Sequence, residues 1–306
     1  MSISGRLDVI AATVTPFTAD GGLDEPAWRA LLTRLEPVVD GFFVAGTTGE
    51  FPALTDVERL RLLEIALEVA GPERVVLQVG AAAGRQAEGL VRAACAAGAT
   101  RLAAITPFYL PVSPDAVLQY YHRLATAAAQ ASGPSAASLY AYFYPDLTQV
   151  PCDPTALGRL AEVGVAGVKM SGVAAALIED YVGNAPPGFE VWSGGDRDLA
   201  TLARCSASGV VSGVAGVDPW SFIALRDALE RADPTVAELD RQVGRQCAAL
   251  RNIPVLKVAL AELGIAGATC RMSVDPATSE DLVAVRAAVG SLPGSVLREA
   301  ADGREA

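Results

Sequence analysis

Short apolar runs recur along this chain, each too short to be a helix and each bounded by glycine, proline or polar residues. They fall at Val9–Val14, Gly41–Ala45, Val75–Val79, Arg101–Thr106, Ser138–Tyr142, Val165–Lys169, Phe189–Ser193 and Gly209–Gly213. Runs of this length and composition predict strands buried on both faces. Between them the apolar positions follow a helical period, over Glu25–Leu35, Asp56–Ala70, Arg85–Ala97, Pro114–Gln130, Pro154–Glu162 and Asp198–Ser206, several opened by an Asp, Thr or Pro start signal. Alternation of strand and helix around eight strands predicts an α/β fold, a parallel (β/α)8 TIM barrel. A doubly wound sheet fits less well, because no GxGxxG follows the first strand.

After Asp218-Pro219 the strands stop, and helices broken at Ala232–Pro234, Asn252–Pro254 and Arg271–Pro276 run to about Val289. The expected organisation is a barrel over residues 1–219 and a C-terminal helical appendage over 220–306, ending in a loose polar tail, Arg298–Ala306. No apolar stretch is long enough to span a membrane, and the N-terminus lacks a basic start followed by an apolar core. A net charge of −11 argues against nucleic acid or an acidic membrane as partner. The five cysteines are scattered and odd in number, which reads as reduced, mostly buried thiols in a cytoplasmic protein.

Composition narrows the chemistry. His122 is the only histidine and there is no cysteine cluster, so neither an ordinary zinc site nor a Ser-His-Asp hydrolase is expected. Proton transfer then falls to Tyr, Asp, Glu or Lys. Against 22 arginines there are only two lysines, Lys169 and Lys257, and Lys169 ends an apolar strand. A buried amine is costly to keep charged, but it can do what a guanidinium cannot: lose its proton and attack a carbonyl. The other reading of Lys169 is biased composition with the side chain reaching the surface.

The polar motifs fall just after the strands, at the end where such barrels hold their chemistry. Gly46-Thr-Thr-Gly-Glu50 follows the second strand, Thr106-Pro-Phe-Tyr109 the fourth, and Ser193-Gly-Gly-Asp196 the seventh. Tyr142-Phe-Tyr-Pro145 ends the fifth and Ser212-Gly213 the eighth. The 46–50 turn, with Thr47, Thr48 and Gly49, has the makings of a cradle for a small carboxylate, or of a plain strand-to-helix turn with threonine caps. Tyr142 suits a proton shuttle or a packing role.

Taken together, Val14-Thr-Pro-Phe17, Gly46–Glu50, Thr106–Tyr109, Tyr142-x-x-Pro145, Gly167-Val-Lys169 and Asn252–Lys257 resemble the dihydrodipicolinate synthase/N-acetylneuraminate lyase family over about residues 8–285. The resemblance implies a class I (Schiff-base) pyruvate aldolase, homotetrameric as a dimer of dimers, with no cofactor and no metal. It implies Lys169 as the Schiff-base lysine and Tyr142 as the proton relay. Thr47 would bridge hydroxyls, Thr48 and the adjoining turn hold the carboxylate, and Tyr109 reach the neighbouring subunit's relay. Lys257 falls on a structural lysine. Ser171, Asp196, Arg197 and Ser212 are the candidates for the aldehyde half.

This chain departs from the synthases at Leu147, where they carry an arginine for the aspartate-semialdehyde carboxylate. Phe143 replaces the common Asn, Phe108 precedes Tyr109 where Tyr is expected, and Asp56 replaces the histidine of lysine-inhibited members. Arg197 replaces the glutamate that sialic-acid lyases place after the aspartate. Tyr142-Phe-Tyr-Pro145 is closer to some 2-keto-3-deoxy sugar-acid aldolases. The expected reaction is reversible cleavage of a 4-hydroxy-2-keto acid to pyruvate and an aldehyde. The alternatives are a dehydratase or hydratase-aldolase, a synthase-type condensation, and a non-catalytic keto-acid sensor.

Overall fold

A computed structural model describes residues 6–132 and 137–292. Eight strands form one closed parallel barrel in chain order: β1 Asp8–Ala12, β2 Gly41–Val44, β3 Val75–Gln78, β4 Arg101–Ile105, β5 Ser138–Phe143, β6 Val165–Met170, β7 Glu190–Ser193 and β8 Gly209–Ser212, with β8 pairing back onto β1. The helices of the first half are α1 Glu25–Leu35, α2 Asp56–Ala70, α3 Gly84–Ala96, α4 Pro114–Ser132, α5 Pro145–Thr148 and α6 Leu157–Glu162. Those of the second half are α7 Ile178–Asn184, α8 Leu199–Cys205, α9 Pro219–Glu230, α10 Val236–Ala249, α11 Ile253–Glu262 and α12 Ser279–Gly290.

The strands read as uninterrupted apolar runs because both of their faces are buried. Alternate residues divide between two cores. On β5, Leu139, Ala141 and Phe143 pack outward against the helices, while Tyr140 and Tyr142 point into the barrel with Ile10, Phe43, Val76, Ile105, Trp192 and Val211. On β6 the same alternation sends Val168 and Met170 outward and Lys169 inward. The register sets Lys169 between Tyr142 on β5 and Trp192 on β7. At the barrel's N-terminal end a polar plug fills the interior. Glu190 accepts from Arg101 (2.8 Å), from the Tyr140 hydroxyl (2.9 Å) and from Trp192 Nε1 (3.0 Å).

The helix start signals act as caps. Thr55 and Glu58 form a reciprocal capping box on α2, Thr278 and Asp281 do the same on α12, and Asn252 caps α11 ahead of Pro254. Helix α9 packs on β1 and α8 and so completes the outer ring, leaving α10–α12 as the appendage; the division expected at residue 219 falls at the start of α9. The segment Gly172–Asn184, for which the periodicity gave no helix, forms a 3-10 stretch leading into α7. All five cysteines are free and half-buried rather than mostly buried. His122 is exposed on α4. No described helix is long and apolar enough to cross a membrane. The tail Arg298–Ala306 lies outside the described residues.

Candidate active site

A cavity of about 490 Å³ opens at the C-terminal end of the barrel, with Lys169, Tyr142, Thr47 and Thr48 in its lining. Lys169 is buried, and its Nζ donates to Ser171 Oγ at 2.6 Å. Nζ lies over the ring of Tyr142, 3.8 Å from its centroid, and 5.6 Å from that of Phe43. No carboxylate among the described residues forms an ion pair with it. Tyr142 OH and Thr47 Oγ1 share a hydrogen bond of 3.0 Å. The strand ends thus place an amine, a phenol and a hydroxyl on one wall, which is what imine chemistry needs: a nucleophile and a path for protons.

The turn after β2 gets its shape from its backbone. Ala45 and Glu50 both adopt left-handed φ (50° and 57°), and the Glu50 and Phe51 amides close back onto Thr47 O and Gly46 O. Gly49 faces away from the cavity. Its carbonyl accepts the Thr15 hydroxyl (2.7 Å), and a Cβ there would crowd Ala45 and Thr13. The side chains of Thr47 and Thr48 are left facing the cavity, and neither the Thr48 nor the Gly49 amide is taken up by a hydrogen bond among the described residues.

Ser171 and Asp196 also line the cavity. Burial pushes the Asp196 carboxyl above its ordinary range, against the pull of the Ser212 hydroxyl and the Lys169 charge. Ser212 is itself fully buried, with its Oγ accepting the Ala215 amide at 3.0 Å, so it touches Asp196 from behind the cavity wall. Arg197 is not brought to the site: it is exposed, with its guanidinium laid against Gly244 of α10. The turn Ser193–Asp198 explains this, since Asp198 accepts the Ser193 hydroxyl (2.5 Å), folding the loop so that successive side chains part. Tyr109 is not in this chain's cavity either. It is 89% exposed and held at φ 81°, a conformation unusual for a side chain of its bulk.

Several lining residues were not foreseen. Tyr144 follows Tyr142 by the strand period of two and could have been read from that spacing; burial pushes its phenol above the ordinary value. Arg251, Asn252, Ile253, Pro254, Val274 and Asp275 come from the appendage, and nothing local in the sequence marks them as facing a barrel mouth.

A closed parallel barrel with a buried lysine on its sixth strand and a Tyr–Thr pair beside it has the groups that imine-forming enzymes use. Residues 6–292 match the Dihydrodipicolinate synthetase family, and the chain belongs to that family, whose members are carbon–carbon lyases. It is 34% identical over 226 residues to the 4-hydroxy-tetrahydrodipicolinate synthase of Methanothermobacter thermautotrophicus, covering 72% of this chain and 76% of the relative. It is 32% identical to an uncharacterized DapA-like lyase of Halobacterium salinarum, covering 86% of this chain and 85% of the relative. The fold is shared with a 2-keto-3-deoxygluconate aldolase variant of Sulfolobus solfataricus at a TM-score of 0.80 and 23% identity, covering 97% of this chain and 98% of that one.

Proposed function

We propose that the protein is a class I aldolase that reversibly cleaves a 4-hydroxy-2-keto acid of the 2-keto-3-deoxy sugar-acid type to pyruvate and an aldehyde. The observation that carries this is the buried Lys169 amine beside the Tyr142–Thr47 hydrogen bond. In the synthetic direction the neutral amine adds to C2 of pyruvate, and the carbinolamine loses its hydroxyl as water to give the iminium. Tyr142 relays the protons, with Thr47 holding its hydroxyl. Loss of a C3 proton gives the enamine, whose electron pair attacks the aldehyde carbon; proton delivery to the new alkoxide and hydrolysis of the imine return the lysine. The Thr48 turn would take the keto-acid carboxylate, and Ser171 and Asp196 the hydroxyls of the aldehyde half.

The relatives named as synthases favour condensation with aspartate semialdehyde as a second reading. Against it stands Leu147, which is 55% exposed where the resemblance calls for a carboxylate-binding arginine. The exposed, left-handed Tyr109 supports an assembly, a homotetramer by family likeness, in which that ring reaches a neighbouring subunit. Trapping with pyruvate and borohydride should leave a reduced adduct on Lys169 in a peptide map, and separate assays of the unreduced enzyme should show aldol addition of pyruvate to hydroxylated aldehydes but not to aspartate semialdehyde. An unmodified Lys169 would overturn the Schiff-base reading. An adduct with no turnover on any aldehyde would make the protein a keto-acid binder.

A further inference from the structure

Glu50 is fully buried and joins two regions of the chain that are 221 residues apart. One carboxylate oxygen pairs with Lys257 Nζ, itself buried. The other accepts the backbone amides of Arg271 (2.9 Å) and Met272 (2.8 Å). Lys257 also donates to Thr269 O at 2.7 Å and lies 4.2 Å from the centre of the Phe17 ring. The backbone of Glu50 closes the turn that presents Thr47 and Thr48, and the segment it grips continues into Val274 and Asp275, which line the same cavity. Arg271 secures the outer side of that segment, donating to Gly21 O (2.7 Å), Ala53 O (3.2 Å) and both oxygens of Glu58 (2.9 and 2.7 Å).

A buried ion pair contributes little net stability over an apolar pair of the same volume, so stability alone is a weak account of this one. What it provides is geometry. We infer that Glu50 and Lys257 are positioning residues for keto-acid binding: their pair locks the Thr47–Thr48 turn and the 271–275 cavity wall into one unit. Neither side chain lines the cavity, so they act through the backbone they hold. A family-wide structural lysine would by itself explain folding; the grip on both walls of one cavity adds a consequence for substrate affinity.

The kinetic part of this inference rests on the pyruvate reading, and the test separates the two. In a Glu50→Gln/Lys257→Met double variant no buried charge is left unpaired, so the chain should fold. Its half-saturating pyruvate concentration for borohydride trapping should rise about tenfold, with the yield at saturation kept, because loosened positioning costs affinity before chemistry. Hydrogen exchange at the 46–51 and 269–276 amides should quicken together, with or without pyruvate. Arg271→Gln, at the more accessible outer clamp, should shift both readouts the same way by less, and serves if the double variant does not fold. Unchanged half-saturation in a folded variant, or exchange that quickens in one segment alone, would overturn the inference. If the wild-type protein traps no pyruvate, the pyruvate reading falls and the paired exchange result still decides the positioning role.

Discussion

The chain's two lysines are both buried, yet their surroundings differ in one decisive way. Lys257 is matched to a carboxylate, Glu50, and to a backbone carbonyl, so its ammonium is satisfied and fixed. Lys169 has a neutral hydroxyl, Ser171, and the faces of two aromatic rings. Amine nucleophiles must shed a proton before attack, and a bound carboxylate opposes that. One lysine is tied by an ion pair to a distant segment of the chain; the other faces the cavity with a neutral hydroxyl as its hydrogen-bond partner among the described residues.

Replacing each lysine by methionine is the sharpest way to break this comparison. Lys169→Met should cut turnover on the order of 10⁴-fold or more, since the proposed nucleophile is gone, and should leave the urea midpoint unchanged or higher. Lys257→Met should do the reverse in stability, costing about 3–5 kcal/mol because Glu50 is left buried and unpaired. Equal destabilisation by the two substitutions would show that Lys169 is also a structural residue and would remove the contrast.

Tyr142→Phe tests the proposed proton path beside Lys169. Turnover should fall by roughly 10²- to 10⁴-fold, the range of a general acid–base group, while pyruvate binding holds. Parallel loss of both in steady-state kinetics would assign Tyr142 to packing of the barrel interior. A smaller effect is expected from Gly194→Ala. A Cβ at this position would stand 2.9 Å from Lys169 Nζ, 2.8 Å from Met170 O, and collide with Ser171 Oγ, displacing the amine's hydrogen-bond partner. The rate of adduct trapping should drop roughly tenfold, by misplacement of the nucleophile rather than its loss.

The barrel was legible because strands covered on both faces carry an uninterrupted apolar signal, and the cap of α2 is local in sequence. Lys169 stood out for the same reason, a polar residue ending an apolar run. Strand alternation would also have yielded Tyr144. The appendage's share of the cavity was not legible, since Arg251, Val274 and Asp275 reach the mouth through contacts across the whole chain. Nor could spacing show that Arg197 turns away from the cavity to Gly244 while Asp196, one residue earlier, turns toward it. That division depends on the Ser193–Asp198 hydrogen bond. Likewise α9 reads as one more C-terminal helix, and only its seat on β1 and α8 marks it as the eighth of the ring.

The clamp outside Lys257 gives the mildest test, by pH. Arg271's hydrogen bonds hold the Glu58 carboxyl down at about 2, from an ordinary value near 4.5. A carboxyl lowered in the folded state adds stability that is complete above its unfolded value and is lost as pH falls through the folded one. The clamp should therefore contribute fully above about pH 4.5 and fade toward pH 2. The two side chains are 19% and 22% exposed, and solvent screening limits the contribution to about 1 kcal/mol despite the size of the shift. Urea unfolding from pH 6 to pH 3 should show Glu58→Gln less stable than wild type at the upper end, with the gap narrowing as acid is added. A gap that stays constant with pH would mean that the ionisation of Glu58 contributes nothing to the clamp on Arg271.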